Sequence, residues 1–219
     1  VLLGIGGGIS FYFLMPDEAY RQVIRLELKR AGLSEHTLLV EGDEWPYIDS
    51  GPGVGASTVV LLHGMGSNKY NWTRLAAEMP GNYRLIAVDL PGFGYSIRDP
   101  ARSYLPAVQA RRLYQFLNAL SLEKVHLVGH GMGGHVAGEF AGQFPESAQS
   151  LTLIDTAGVH EPLKNRMAKS MEKGNVPVAP ATLEELRQKI ALMFVEPPFV
   201  PRPVELRLLK RSQEYADFN

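Results

Sequence analysis

The feature that most constrains the fold of this chain is a glycine-rich turn between a predicted strand and a predicted helix. The apolar residues 125–128 lead into the sequence GHGMGG at 129–134, and a helical pattern follows over 132–144 until Pro145. Glycines in such a turn let backbone segments approach each other closely. The residue at the apex of the turn is Gly131.

In a strand–turn–helix of this layout, the apex residue is normally a nucleophile, usually serine. Gly131 has no side-chain atom that could attack a substrate, so no covalent intermediate can form there. Glycine also adopts the strained apex backbone freely. A serine-to-glycine replacement is therefore expected to remove reactivity without disturbing the fold. Both a deliberately inactivated mutant and a naturally silenced enzyme fit this reading.

Strands and helices alternate along most of the chain. The predicted strands span residues 38–40, 45–48, 58–62, 83–88, 124–128 and 150–154. The predicted helices between and beside them span residues 20–32, 68–79, 103–120 and 132–144. Apolar, β-branched strands with helical crossovers are typical of a mostly parallel sheet with helices on both faces. The chain is thus predicted to have an α/β fold, with a helical cap after the sixth strand.

A second glycine-rich loop, HGMG at residues 63–66, follows a predicted buried strand. In open parallel sheets, the loops at the carboxyl ends of the strands form the ligand site. Acyl transfer requires two N–H donors directed at the developing oxyanion. By position, these donors are predicted to be the backbone amides of Met65 and Met132, the latter at a helix N-terminus.

A third loop, DLPGFGYS at residues 89–96, follows the next strand. Its aspartate, Asp89, is expected to tie the loop together by side-chain-to-backbone hydrogen bonds. Together, the three motifs in this order and spacing resemble the α/β-hydrolase family over residues 38–158. The N-terminal segment, the basic segment after it and the cap sequence are similar to membrane-anchored monoacylglycerol lipases and related bacterial lipases and esterases.

The resemblance implies a serine hydrolase that cleaves acyl esters with a Ser-His-Asp triad and without a cofactor or metal. Gly131 stands at the nucleophile position. The triad Asp and His are expected beyond Asn219, in a chain interpreted as truncated before the final strands of the fold. The residues predicted to contact the substrate are His63, Gly64, Phe93, His130, Met193 and Phe194.

The segment VLLGIGGGISFYFLM at residues 1–15 is uncharged and is interpreted as the remnant of a membrane anchor. Arg21, Arg25 and Lys29 follow at helical spacing, as a basic stripe that suits a membrane surface or a solvated helix face. The predicted division is an anchor at 1–16, a core at 17–158 and a cap at 159–219. A membrane-associated protein is expected, with a secreted or soluble one as the alternative.

The favoured function is hydrolysis of lipid-like acyl esters, of the monoacylglycerol type. Two alternatives remain: a non-catalytic pseudo-hydrolase that binds acyl ligands, and a carbon–carbon bond hydrolase of the same fold. The net charge is −1 and basic clusters interleaved with aromatics are absent, which argues against a nucleic-acid partner. The sequence leaves acyl length, headgroup and oligomeric state open.

Overall fold

The computed structural model describes residues 16–51, 57–159, 169–170, 173, 179–197 and 199–214. The predicted anchor segment 1–15 lies outside these residues, and so do loop residues 52–56. The chain divides into two compact units. One is formed by Arg25–Val159, and the described residues of Val1–Ile24 and His160–Asn219 belong to the other.

The larger unit contains a six-stranded sheet with the strand order β1-β2-β4-β3-β5-β6. Its strands are β1 (Ser34–Val40), β2 (Asp43–Asp49), β3 (Ser57–Leu62), β4 (Tyr83–Val88), β5 (Val125–His130) and β6 (Ala148–Ile154). The β1–β2 and β2–β4 pairs are antiparallel, and the four strands β4, β3, β5 and β6 run parallel to one another. The predicted α/β fold with a mostly parallel sheet is confirmed.

The register of the parallel strands aligns their carboxyl ends. Leu62 of β3 is paired with Val88 of β4 on one side and with Gly129 of β5 on the other. Gly129 is paired in turn with Leu153 of β6. The loops that follow these four strands therefore start at the same level, along one end of the sheet. We call this end the site end.

The helices of this unit are 6 to 16 residues long, and two of them carry recognisable terminal signals. They are α1 (Pro16–Ala31, which begins in the smaller unit), α2 (Thr73–Glu78, after a 3-10 turn at Lys69–Trp72), α3 (Pro106–Ala119) and α4 (Met132–Gln143). Acidic residues lie in the first turn of α1 and basic residues in its last, which suits the helix dipole. A proline in the first turn of α3 favours helix initiation there.

An aromatic cluster forms part of the core beneath the sheet. Trp45 stacks on Phe116 with ring centroids 4.9 Å apart, and Tyr47 meets the same ring edge-on at 5.4 Å. The side chains of β3 and β4 are almost fully buried, because both faces of these central strands are covered. β6 differs, since Leu151, Leu153 and Ile154 are 39–44% exposed.

The described part of the smaller unit contains helices α5 (Leu183–Met193) and α6 (Arg202–Glu214). α5 starts with a capping box, in which the Thr182 side chain accepts from the Glu185 N–H and the Glu185 side chain accepts from the Thr182 N–H. Glu205 is buried and accepts two hydrogen bonds from Arg187, at 2.7 and 2.9 Å. Among the described residues, no helix has the length and hydropathy needed to cross a bilayer.

Two sequence-based expectations differ from the structure. β1 starts at Ser34, four residues earlier than predicted, because its first half is exposed and carries no apolar pattern. The helix predicted at 68–79 is a 3-10 turn at Lys69–Trp72 followed by the short helix Thr73–Glu78, in which Leu75 is 41% exposed and Thr73 is buried. In the basic stripe of α1, Arg21 donates to Glu18, and Arg30 beside the stripe donates to Glu78.

Candidate active site

The turn between β5 and α4 has the strained apex that its sequence predicts. Gly131 adopts φ 55° and ψ −117°, a conformation that side-chain-bearing residues rarely adopt. Its N–H donates to the Ile154 carbonyl at 3.0 Å, and its carbonyl accepts from the amides of Gly134 (3.1 Å) and Ala157 (2.9 Å). The end of β6 and the residues after it thus hold the apex in place.

The glycines flanking the apex are required by close backbone packing. A Cβ atom on Gly133 would lie 2.4 Å from the Leu62 carbonyl oxygen and 2.6 Å from that of His63. A Cβ atom on Gly129 would lie 2.4 Å from the Gly133 carbonyl oxygen. Real Cβ atoms do not approach other atoms this closely, so the first turn of α4 rests directly on the carboxyl end of β3.

The loop after β3 lies against the same turn. A Cβ atom on Gly64 would lie 2.8 Å from His130 Nδ1 and 3.4 Å from the His130 carbonyl oxygen. Gly64 Cα is also the nearest atom to a Cβ built on Gly131, at 3.7 Å. The loop after Leu62 and the apex are therefore neighbours, as the parallel topology predicts.

Two backbone amides near this turn, those of Met65 and Met132, are candidates for oxyanion donors. Within the described residues, neither the Met65 N–H nor the Met132 N–H forms a hydrogen bond. Met132 is the first residue of α4, so the partial positive charge of the helix N-terminus adds to its amide. Unpaired donors at this place are available to a ligand oxygen.

Position 131 has room for a side chain. A Cβ atom there would meet Gly64 Cα at 3.7 Å and the Asp155 carbonyl oxygen at 4.0 Å, both ordinary van der Waals distances. The surroundings of Gly131 therefore admit a serine, and only the positive φ opposes one. This distinguishes Gly131 from Gly129 and Gly133, whose surroundings exclude any side chain.

His63 has a different role from the predicted substrate contact. It is 1% exposed, its Nε2 accepts from the Leu90 N–H at 3.2 Å, and its Nδ1 lies 2.8 Å from the Gly64 carbonyl oxygen. Because both ring nitrogens are engaged within the fold, His63 braces the loop instead of facing a ligand. Burial lowers the pKa of His63, which favours the neutral ring that can accept from Leu90.

The other predicted site residues are distributed over both units. Met65 is 57% exposed, Phe93 is half-buried against the core, and His130 is half-buried over Gly64. Met193 and Phe194 belong to the smaller unit, where they are 57% and 46% exposed.

Asp155 and His160 follow the sixth strand and are an acid and a base by residue type. Asp155 has φ 45° and an exposed side chain, and His160 lies outside the described residues.

Sequence reasoning missed one buried group at the site end. Lys69 is 3% exposed and its Nζ lies 2.8 Å from Asp89 Oδ2. A lysine in a predicted amphipathic helix is normally a surface residue, so the sequence carried no signal for this burial. Asp89 does tie its own loop together, as expected, by accepting from the Tyr95 N–H at 3.0 Å.

A sequence profile described as the alpha/beta hydrolase fold matches residues 57–194. The chain belongs to the alpha/beta hydrolase family, which confirms the resemblance drawn from its three motifs. Among the motif glycines, Gly129 and Gly133 lie in close backbone packing, whereas nothing lies within 4 Å of a Cβ built on Gly66.

Among individual relatives, the chain is similar to several lipases. Lipase 1 of Psychrobacter immobilis is 30% identical over 187 residues, covering 84% of this chain and 58% of the lipase. Monoacylglycerol lipase ABHD6 of Bos taurus is 31% identical over 193 residues, covering 84% of this chain and 57% of that protein. The chain therefore spans less than two thirds of the length of these curated relatives.

A solved structure is similar over nearly the whole chain. It is described as a membrane phospholipase A, a novel bacterial virulence factor, and matches with a TM-score of 0.87 and 35% identity. The match covers 99% of this chain and 69% of that chain. A putative lipase from Acinetobacter baumannii AYE matches with a TM-score of 0.78 and 27% identity over 90% of this chain.

Proposed function

We propose that this chain carries the oxyanion site of a lipid carboxylic-ester hydrolase, acting on monoacylglycerol-type esters, with Gly131 at the position of the nucleophilic serine. The observation that carries the proposal is the apex itself. Its positive φ is typical of a strained nucleophile turn, and its surroundings would admit a serine side chain. The names of the similar lipases support a lipid ester as the substrate.

The reaction would proceed by acyl transfer. A serine hydroxyl at position 131 would attack the ester carbonyl, and the carbonyl oxygen would become an oxyanion. The amides of Met65 and Met132, which are unpaired within the described residues, would donate to that oxygen. A general base would take the hydroxyl proton and return it to the leaving alcohol as the ester C–O bond breaks. Water, activated by the same base, would then hydrolyse the acyl-enzyme and regenerate the serine.

The substrate's acyl chain would lie against apolar side chains near the turn. Exposed Met65 and half-buried Met132 and Phe93 offer such a surface. Met193 and Phe194, which belong to the smaller unit, stay predicted substrate contacts from the sequence. A membrane surface as the source of the substrate rests on the predicted anchor and on the similarity to a membrane phospholipase.

The decisive experiment replaces Gly131 by serine in the full-length protein. Loss of a catalytic serine costs on the order of 10⁶ in kcat, so Gly131→Ser should raise ester hydrolysis by several orders of magnitude. The matched control is Gly131→Ala, which introduces the same backbone strain without a hydroxyl. Both variants should lower the free energy of unfolding by about 1–3 kcal/mol, because a Cβ at positive φ is strained.

Assays with monoacylglycerols and with short p-nitrophenyl esters would follow the turnover. If folded Gly131→Ser hydrolyses neither, the enzymatic proposal fails. The second candidate function, acyl-ligand binding without catalysis, is favoured by Gly131 itself, since the two amides remain available without a nucleophile. Tight binding of intact monoacylglycerol by the Gly131 protein, combined with an inactive serine variant, would select that candidate.

A further inference from the structure

A buried ion pair lies directly behind the loop that carries Met65. The Lys69 and Asp89 side chains are 3% and 0% exposed, and Nζ of the lysine is 2.8 Å from Oδ2 of the aspartate. Asp89 Oδ1 accepts a second bond, 2.7 Å long, from the backbone N–H of Lys69. One carboxylate therefore holds Lys69 by its main chain and by its side chain.

The surroundings of this pair fix it further. The Lys69 ammonium lies 4.3 Å from the ring centroid of Tyr70 and 4.5 Å from that of Tyr95. Asp89 Oδ2 also accepts from the Tyr95 N–H at 3.0 Å. A Cβ atom on Gly94 would lie 2.2 Å from Asp89 Oδ1, so the loop after β4 is folded closely around the carboxylate.

The segment from His63 to Lys69 is thus fastened at both of its ends to consecutive residues of another loop. At its start, His63 Nε2 accepts from the Leu90 N–H. At its end, Lys69 is held by Asp89. Met65, whose amide is unpaired within the described residues, lies between the two fastenings.

We propose that Lys69 and Asp89 are positioning residues that hold the Met65 amide at the apex of the turn. This inference rests on the proposed function for the amide's role, although the geometric claim stands without it. Within the loop, the Ser67 N–H donates to the Gly64 carbonyl at 3.2 Å and closes a turn around Met65. The two fastenings to the loop after β4 lie on either side of this turn and set its position in the molecule. Neither member of the pair contacts substrate; both act through the backbone.

The test labels the protein with ¹⁵N-methionine, which gives at most seven backbone amide signals from the seven methionines. In Lys69→Gln, the Met65 signal should shift by several linewidths or split into several signals. The matched control is Arg84→Gln. Arg84 forms an ion pair with Asp49 at 2.6 Å, at the opposite end of the sheet. Its loss should leave the Met65 signal in place.

Two results would overturn the proposal: a folded Lys69→Gln protein with an unmoved Met65 signal, or an equal movement in Arg84→Gln. If Lys69→Gln does not fold, Lys69→Arg carries the test. It keeps the cation but changes its geometry, so a smaller Met65 shift is expected, and an unmoved signal again contradicts the proposal.

A kinetic arm applies once Gly131→Ser has restored hydrolysis. Adding Lys69→Gln should lower kcat by roughly ten- to a hundredfold with little change in KM, since a small displacement of a donor weakens transition-state binding alone. Adding Arg84→Gln should leave kcat unchanged. A rise in KM at constant kcat would contradict the proposal. If Gly131→Ser stays inactive, the enzymatic function fails, but the amide spectra still decide the positioning role.

Discussion

The two ends of strand β4 carry ion pairs of the same chemistry in different surroundings. At the site end, Asp89 binds Lys69 with the two side chains 0% and 3% exposed. At the opposite end, Asp49 of β2 binds Arg84 of β4 with the two side chains 6% and 18% exposed. Each carboxylate accepts three hydrogen bonds. Two come from its cationic partner residue, and the third comes from the backbone amide of another residue.

The difference lies in what each pair connects. Asp49 and Arg84 join two strands that are already hydrogen-bonded in the sheet. Asp89 and Lys69 join two loops that have no ladder between them, and the pair is removed from water. A buried charge is costly unless it is fully paired, so this end of the molecule depends more on a single interaction. At the opposite end, backbone hydrogen bonds between paired strands hold the structure together, whereas at the site end a buried side-chain ion pair joins the loops.

The largest expected effect of this difference is on stability. Lys69→Met should lower the free energy of unfolding by about 3–5 kcal/mol, because it leaves the Asp89 carboxylate buried without its cation. Arg84→Met should cost less, about 1.5–3 kcal/mol, because water reaches that pair. Urea denaturation of both variants at neutral pH measures the two values.

Equal losses in the free energy of unfolding for Lys69→Met and Arg84→Met would contradict the proposed difference between the two ends of β4. A smaller loss in Lys69→Met than in Arg84→Met would show that water or a rearranged loop compensates Asp89. The slopes of the two denaturation curves must agree before the values are compared, since a changed slope indicates a changed denatured or native state.

The sequence predicted most of the fold because central parallel strands have a strong signal. Residues 58–62 are continuous apolar and β-branched, and the buried strand Ser57–Leu62 follows that run closely. Solvent-facing β1 was predicted too short, because exposed residues such as Glu35 and Thr37 carry no periodic pattern. Edge strands are defined by their pairing partner, which a local pattern does not encode.

The sequence predicted the backbone shape of the turn at the candidate site, but it did not predict which polar side chains near it are buried. Gly131 was found because a turn of this shape needs glycine or a strained residue at its apex. His63 was predicted as a substrate contact, although both its ring nitrogens are engaged within the fold, and Lys69 was overlooked. Both are polar residues whose position is set by contacts with the loop after β4, 27 residues along the chain from His63 and 20 from Lys69. Local sequence carries no information on such contacts.

A smaller effect is expected from two glycines of helix α4, one in its first turn and one in its middle. Gly133 lies at the site end, where a Cβ would be 2.4 Å from a backbone oxygen of β3, whereas nothing lies within 4 Å of a Cβ on Gly138. Gly133→Ala should lower the free energy of unfolding by about 1–3 kcal/mol through overpacking. Gly138→Ala should raise it by about 0.5–1 kcal/mol through helix propensity.

Thermal or urea unfolding of the two single variants distinguishes these outcomes, since their signs differ. A neutral Gly133→Ala would mean that the first turn of α4 can move away from β3. In that event the Met132 amide would not be held rigidly, and the proposed oxyanion site would lose one of its two fixed donors.

The smallest expected effect concerns pH and the two histidines at opposite ends of the sheet. Burial lowers the pKa of His63. Among the charged and titratable neighbours, Asp89 raises this pKa, and Lys69 and His130 lower it. The unfolded chain, with an ordinary histidine pKa of about 6.5, then binds more protons than the native state as the pH falls. The stability contribution is complete above that value, and is lost progressively below it.

Urea denaturation between about pH 7.5 and pH 5 tests this prediction. The free energy of unfolding should fall with decreasing pH in the parent protein, and less steeply in His63→Gln, whose side chain does not titrate. The control is His126→Gln, since His126 lies at the start of β5, at the opposite end, and contacts Ser150 at 2.7 Å. If His63→Gln retained the full fall, groups other than His63 would cause it, and protonation of the ring that accepts from Leu90 would not contribute to the pH dependence of stability.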